Sequence, residues 1–159
     1  MVMSTAECTP HCDLYPCSHG QELDVFTMAI RPLEPVFFFE IDDSDIKIFQ
    51  RIKSILKDIK TAYNLESQIY ETKHGYHLAC ESESWDQAKH LRKIFFSWIE
   101  VNYFNNEPEK AALRVTAKRS IKSGKVISPA PRLVWESKQG LKDLRLPTRH
   151  HVEIYKTTD

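Results

Sequence analysis

The sequence predicts an α+β domain with one antiparallel sheet and two helices on a single face of it, and three observations predict this. Aromatic and β-branched runs alternate with two stretches of helical periodicity. The order along the chain is strand, helix, strand, strand, helix, strand. A length of 159 residues, 42% hydrophobic and 28% charged, is the size and composition of one folded domain.

The first regular element is Val36-Phe37-Phe38-Phe39-Glu40-Ile41-Asp42, a strand run that ends in acid. Ser44 is placed to cap the helix that follows, where Ile46, Phe49, Ile52, Leu56, Ile59 and Tyr63 recur at helical spacing with Lys53, Lys57 and Lys60 facing outward. Ser67 to Thr72 and Tyr76 to Glu81 read as a hairpin through Lys73-His74-Gly75, with Gly75 supplying the conformational freedom of the turn. Ser84 and Gln87 form a capping box for a second helix that runs to about Tyr103 and buries Ala88, Leu91, Phe95, Trp98 and Ile99. After the turn cluster Asn105-Asn106-Glu107-Pro108, Leu113 to Lys118 reads as the fourth strand, with Val126 to Ser128 set to pair back on it. This order is the ferredoxin-like or RNA-recognition-like βαββαβ arrangement, which leaves the sheet face opposite the helices open.

Three segments result: an irregular extension at 1–34, the α+β core at 35–135, and an amphipathic element with a polar tail at 136–159. In the extension Cys8, His11, Cys12, Cys17 and His19 crowd into twelve positions. Their spacing lacks paired knuckles, so the adopted reading is a tail of reduced cysteines, with Zn²⁺ on Cys8, Cys12, Cys17 and His19 as the alternative. In the last segment Leu141, Leu144 and Leu146 are expected to pack on the sheet, or to meet a protein partner or a second copy.

Several function classes are excluded. Four glycines, none clustered, cannot form a dinucleotide-binding turn or a phosphate-binding Walker loop. No apolar run approaches the roughly 18 residues of a membrane span, and no signal peptide is read, so the expectation is a cytoplasmic protein without a membrane partner. Zero net charge conceals an asymmetry: residues 1–50 hold nine acidic and two basic side chains, whereas residues 110–149 hold eleven basic and two acidic. Such polarity fits an anionic partner for the basic half, with carboxylates supplied by the other half, or a pairing of the two halves within the fold.

Alternation along the strands then places the polar residues. Phe37, Phe39 and Ile41 should face the helices, leaving Phe38, Glu40 and Asp42 on the open face with Asp43 at the strand end. His77 faces out from the third strand and should fall near Asp42, and Arg114 faces out from the fourth. Cys80 faces the core, where a cysteine behaves as a small hydrophobe. Carboxylates two apart on a strand suit Mg²⁺ or Mn²⁺ held together with substrate phosphates, and an arginine nearby can bind phosphate through two nitrogens.

These residues resemble the archaeo-eukaryotic primase superfamily, including its primase-polymerase branch. Phe37-Phe38-Phe39-Glu40-Ile41-Asp42 looks like that family's hydrophobic run ending in acid-x-acid, and Thr72-Lys73-His74-Gly75-Tyr76-His77-Leu78 like its polar-turn-His motif. Leu113 to Arg119 with Lys122-Ser123-Gly124-Lys125 looks like its arginine-bearing strand and basic turn. The resemblance implies metal-dependent nucleotidyl transfer in DNA replication, or a minimal or degenerate remnant of it that binds nucleotide or nucleic acid without catalysis. It implies Glu40 and Asp42 as metal ligands and His77 as the nucleotide-phosphate contact, which makes Glu40, Asp42 and His77 the expected catalytic residues; the reading of the residues themselves adds Asp43 as a third metal carboxylate, and Arg114 with the basic loop Lys118, Arg119, Lys122 and Lys125 as phosphate contacts. The family's third acidic residue has no clean equivalent, Glu100 being the nearest. Two alternatives stand beside it: a single-stranded nucleic-acid module using Phe38 and the basic loop without chemistry, and a ferredoxin-like protein-interaction domain.

Overall fold

The computed structural model describes residues 25–98, 107–146 and 151–156. Among the described residues the fold is α+β, with two helices, nine strands and two antiparallel sheets. Nine strands in chain order are β1 (Val25–Arg31), β2 (Val36–Ile41), β3 (Ser67–Glu71), β4 (Tyr76–Glu81), β5 (Leu113–Arg114), β6 (Lys118–Ser120), β7 (Val126–Ser128), β8 (Arg132–Glu136) and β9 (His151–Lys156). The helices are α1 (Ile46–Tyr63) and α2 (Trp85–Arg92), the latter continued by a 3-10 turn at Lys93–Trp98. Cys8, Cys12, Cys17, His19, Ile99 and Glu100 lie outside the described residues.

The first sheet has the order β2-β4-β3-β8. One face forms the main core: Phe37, Phe39, Ile41, Ile69, Leu78 and Cys80 pack against Ile52, Leu56 and Ile59 of α1 and Ala88 and Leu91 of α2, with Phe95 beyond. The inward residues of β2 are those that alternation predicts. Ser84 caps α2 as expected, accepting from Gln87 N at 3.1 Å. The cap of α1 is Asp45 rather than Ser44: its carboxylate accepts from Lys47 N, and extended backbone (ψ 133°) ends there. The residues at the two ends of the α1 stripe, Ile46 and Tyr63, are exposed.

The fourth strand departs from expectation. Residues 113–120 do not join β2; they run along β1, with Arg114 opposite Ala29 and Arg119 opposite Phe26. At the interruption between β5 and β6, Thr116 Oγ1 takes the hydrogen bond of Met28 N at 2.9 Å. β1 itself falls within the segment read as irregular, so that reading does not hold for Val25–Arg31. The stretch His151–Lys156 is likewise a strand, β9, where a polar tail was expected. Phe26, Ala29 and Ile30 each have a partner on β9 as well as on β5 or β6, so β9 occupies the other edge of β1. At β2, Phe38 O is already taken by Arg92, which donates to it at 3.1 Å.

The second face of the β2 sheet is not open. A second core joins Val36, Phe38, Tyr70 and Ala79 to Ile30 of β1, Leu113 of β5 and Leu144. Phe38 is fully buried there, which removes it as a stacking platform for bases. Residues 141–145 cross this face as a strap, held where Gln68 Nε2 donates to Lys142 O (3.1 Å) and Leu144 N donates to Gln68 Oε1 (2.8 Å). Leu144 is thus a core residue, whereas Leu146 is exposed.

Candidate functional site

Coverage by β1, β5 and the strap leaves one end of the face for chemistry, where Glu40 is exposed near the end of β2. Register places His77 of β4 directly opposite Glu40, not opposite Asp42, and Tyr70 of β3 beyond it. Glu40, His77 and Tyr70 therefore form one cross-strand row. His77 Nε2 lies 3.8 Å from Glu40 Oε2, and the two side chains are 5% and 59% exposed. The distance is too long for a hydrogen bond and close enough for mutual electrostatic influence.

Turn chemistry sets that register. Thr72 N donates to Gly75 O (2.9 Å) and Gly75 N to Thr72 Oγ1 (3.0 Å), closing the β3–β4 hairpin. Gly75 is not at positive φ, unlike Gly124 and Gly140. What it provides is space: a Cβ there would stand 1.9 Å from Ile41 O and 2.8 Å from Asp43 N. The hairpin turn thereby packs directly on the backbone of the acidic segment.

Two cations from the other sheet act on the row. Burial raises the Glu40 carboxyl above its ordinary range, and the charges of Arg114 and Lys118 oppose that rise. His77 is pushed down to about 3, first by burial and then by Arg114 and Arg145, so its imidazole is neutral. Burial and Arg114 also lower the Lys118 ammonium, with Lys73 adding to them and Glu40 opposing. Arg114 donates to Thr116 O (2.6 Å) and Pro129 O (3.0 Å), and Lys73 to Ile127 O (3.1 Å), so backbone carbonyls orient both.

The other expected site residues are dispersed. Asp42 is exposed just after β2, while Asp43 Oδ1 accepts from Asp45 N at 3.0 Å and so belongs to the turn into α1. Arg119, Lys122 and Lys125 stand exposed on the β6–β7 hairpin, where Arg119 donates to Gly124 O (3.2 Å). Cys80 is buried, and burial raises its thiol. Among the described residues no three of His, Cys, Asp and Glu are gathered tightly enough to hold a metal ion by themselves. Glu40 and Asp42 are both exposed at this end of β2.

Sequence reasoning missed a polar network behind His77. Tyr70 Oη lies 2.6 Å from Gln68 Oε1 and 2.9 Å from Asp143 Oδ1, and its one proton serves one of them at a time. Asp143 grips Arg145 through Nε (3.1 Å) and Nη2 (2.9 Å), and the Arg145 guanidinium stacks 3.8 Å above the Tyr70 ring. Burial raises the Asp143 carboxyl, but the hydrogen bonds and charge of Arg145 outweigh it and hold the group low. One signal was present in the sequence: Gln68 and Tyr70 have the parity of His77 across the hairpin, so polar side chains on that face needed partners from elsewhere. No family model, no curated protein and no solved structure matches this chain.

Proposed function

We propose that this protein binds a nucleoside triphosphate together with a divalent cation at the Glu40 end of its four-stranded sheet, as a primase-like nucleotidyltransferase. The observation that carries the reading is the Glu40–His77 pair, 3.8 Å apart on neighbouring strands, under the influence of Arg114 and Lys118. Cations that reach the Glu40 end of the sheet suit a phosphate chain. A neutral imidazole adds a hydrogen-bonding group without another buried charge. Glu40 and Asp42 would hold the cation, which when bound neutralises phosphate charge and favours displacement at the α-phosphorus. Arg114, held by two carbonyls, and Lys118 would bind the phosphates, and the neutral imidazole of His77 would donate to one phosphate oxygen.

The burial of Phe38 weighs against a single-strand-binding module built on an aromatic sheet face. The reading is tested by calorimetric titration of a nucleoside triphosphate with Mn²⁺, repeated without metal and with Asp42→Ala and Glu40→Gln. Metal-dependent binding, weakened at least about tenfold in each variant (about 1.4 kcal/mol), is expected and leads to primer-synthesis assays. Absence of binding under every condition overturns it.

A further inference from the structure

Two buried polar atoms beside this site have no hydrogen-bond partner: His77 Nδ1 and Arg145 Nη1. They come from different elements, β4 and the strap, and both side chains are at least nine-tenths buried. They are neighbours, because the Arg145 guanidinium covers the ring of Tyr70, and Tyr70 is the cross-strand partner of His77. A buried donor left unpaired costs about 1–3 kcal/mol, so such atoms in a well-packed face call for an occupant. Asp143 takes Nε and Nη2 of the same guanidinium and leaves Nη1 free, so the fork fixes the direction of the remaining donors.

We propose that Arg145 is a ligand-contacting residue of the same site, its Nη1 donating to an oxyanion of the bound phosphate chain, with Asp143 and Tyr70 as the residues that position it. The inference rests on the reading that this end of the sheet binds phosphates, and it adds an inner wall to a site whose outer cations are Arg114 and Lys118. Arginine suits this place because its planar fork can be held by a carboxylate on one side while it donates on the other, which a lysine cannot do.

The probe is inorganic triphosphate, titrated calorimetrically into the full chain without metal. Arg145→Lys keeps the charge but loses Nη1. Asp143→Asn breaks the same ion pair and leaves Nη1 in place. Triphosphate should bind the wild type, weaken at least about tenfold in Arg145→Lys and weaken by a clearly smaller factor in Asp143→Asn, which loosens the positioning fork but keeps Nη1, although both variants melt at lower temperature. Equal losses in the two variants, or none in Arg145→Lys, would mean that the guanidinium only braces the strap and that water satisfies Nη1, and the proposal would fall. If Arg145→Lys does not fold, nitrogen-15 NMR of the wild-type Arg145 guanidinium decides: its resonances should move on adding triphosphate, and unmoved resonances overturn the proposal. The two readings fail separately. Nucleoside triphosphate binding with Mn²⁺ that ignores Arg145→Lys sinks this inference alone. Arg145-dependent triphosphate binding to which neither nucleoside nor Mn²⁺ adds affinity upholds it and sinks the nucleotide reading.

Discussion

Replacing Gly75 by alanine tests the account of how the acidic segment is positioned. The new Cβ would sit 1.9 Å from Ile41 O, 2.8 Å from Asp43 N and 2.9 Å from Ile41 C, all backbone atoms that cannot rotate away. Non-bonded heavy atoms settle at roughly 3.5 Å, so the turn must retreat by more than about 1 Å. Overpacking of this kind costs about 1–3 kcal/mol. Retreat also weakens the two hydrogen bonds between Thr72 and Gly75, each worth about 1 kcal/mol. Alanine returns about 0.4–1 kcal/mol by restricting the unfolded chain. The balance is a loss of about 3 kcal/mol, or roughly 6–12 °C in melting temperature for a domain of this size. Gly140→Ala is the control: φ there is +76° with nothing within 4 Å, so only the left-handed backbone is penalised, by about 1 kcal/mol. Urea unfolding of both variants measures the difference. If Gly75→Ala costs no more than Gly140→Ala, the turn does not press on the acidic segment and the reasoning is wrong.

Three further outcomes are expected. Burial holds His77 at about 3, against about 6.5 in an unfolded chain, with Glu40, Tyr70, Arg114 and Arg145 around it. The unfolded state then binds the extra proton, so this stability is complete above pH 6.5 and is lost as pH falls towards 3. Between pH 7.5 and 5.5 the loss is about 1.4 kcal/mol, and His77→Gln should flatten the urea-midpoint profile across that window; an unchanged slope refutes a buried neutral imidazole. Leu144→Ala should cost about 2–5 kcal/mol, since Leu144 joins the strap to the second core, and hydrogen exchange should show Gln68 and Tyr70 losing protection; unchanged protection would mean the strap does not cover the face. Thr116→Val should cost about 1–3 kcal/mol by orphaning Met28 N, measured by thermal melting against Thr61→Val, whose hydroxyl bonds only an exposed helical carbonyl.

Elements were legible where local pattern decides them. The cap at Ser84, the alternation of β2 and the hairpin around Gly75 depend on residues within a few positions of one another, and each formed, although the Gln87 side chain accepts from Glu83 N (2.7 Å) where a capping box would have it accept from Ser84 N. What could not be read was the choice of partner across long separations. Val25–Arg31 has a strand's alternation of buried and exposed residues, but it lies next to a Cys/His-rich stretch, and its value as a strand comes from β9 more than a hundred residues away. Residues 113–120 were rightly read as extended and assigned to the wrong neighbour, because nothing within them encodes which edge will be vacant. The same limit explains the site. Parity put Glu40 and His77 on one face, but the arrival of Asp143 and Arg145 on that face depends on the strap, whose visible signal was its leucines alone.

Closure of the second face changes what the charge asymmetry means. On an open sheet, Phe38 and the basic loop would present a broad surface suited to a strand of nucleic acid. With Phe38 under Ile30, Leu113 and Leu144, the face is spent on packing, and the polar row survives only at the Glu40 end. The basic half of the chain reaches that end by two routes, Arg114 and Lys118 through the second sheet and Arg145 through the strap. Asp143 takes two nitrogens of Arg145, and Glu40, from the acidic half, feels both Arg114 and Lys118. The two halves of the chain therefore meet within the fold at this end of the sheet, beside an uncharged imidazole, which is the pairing that the charge asymmetry allowed.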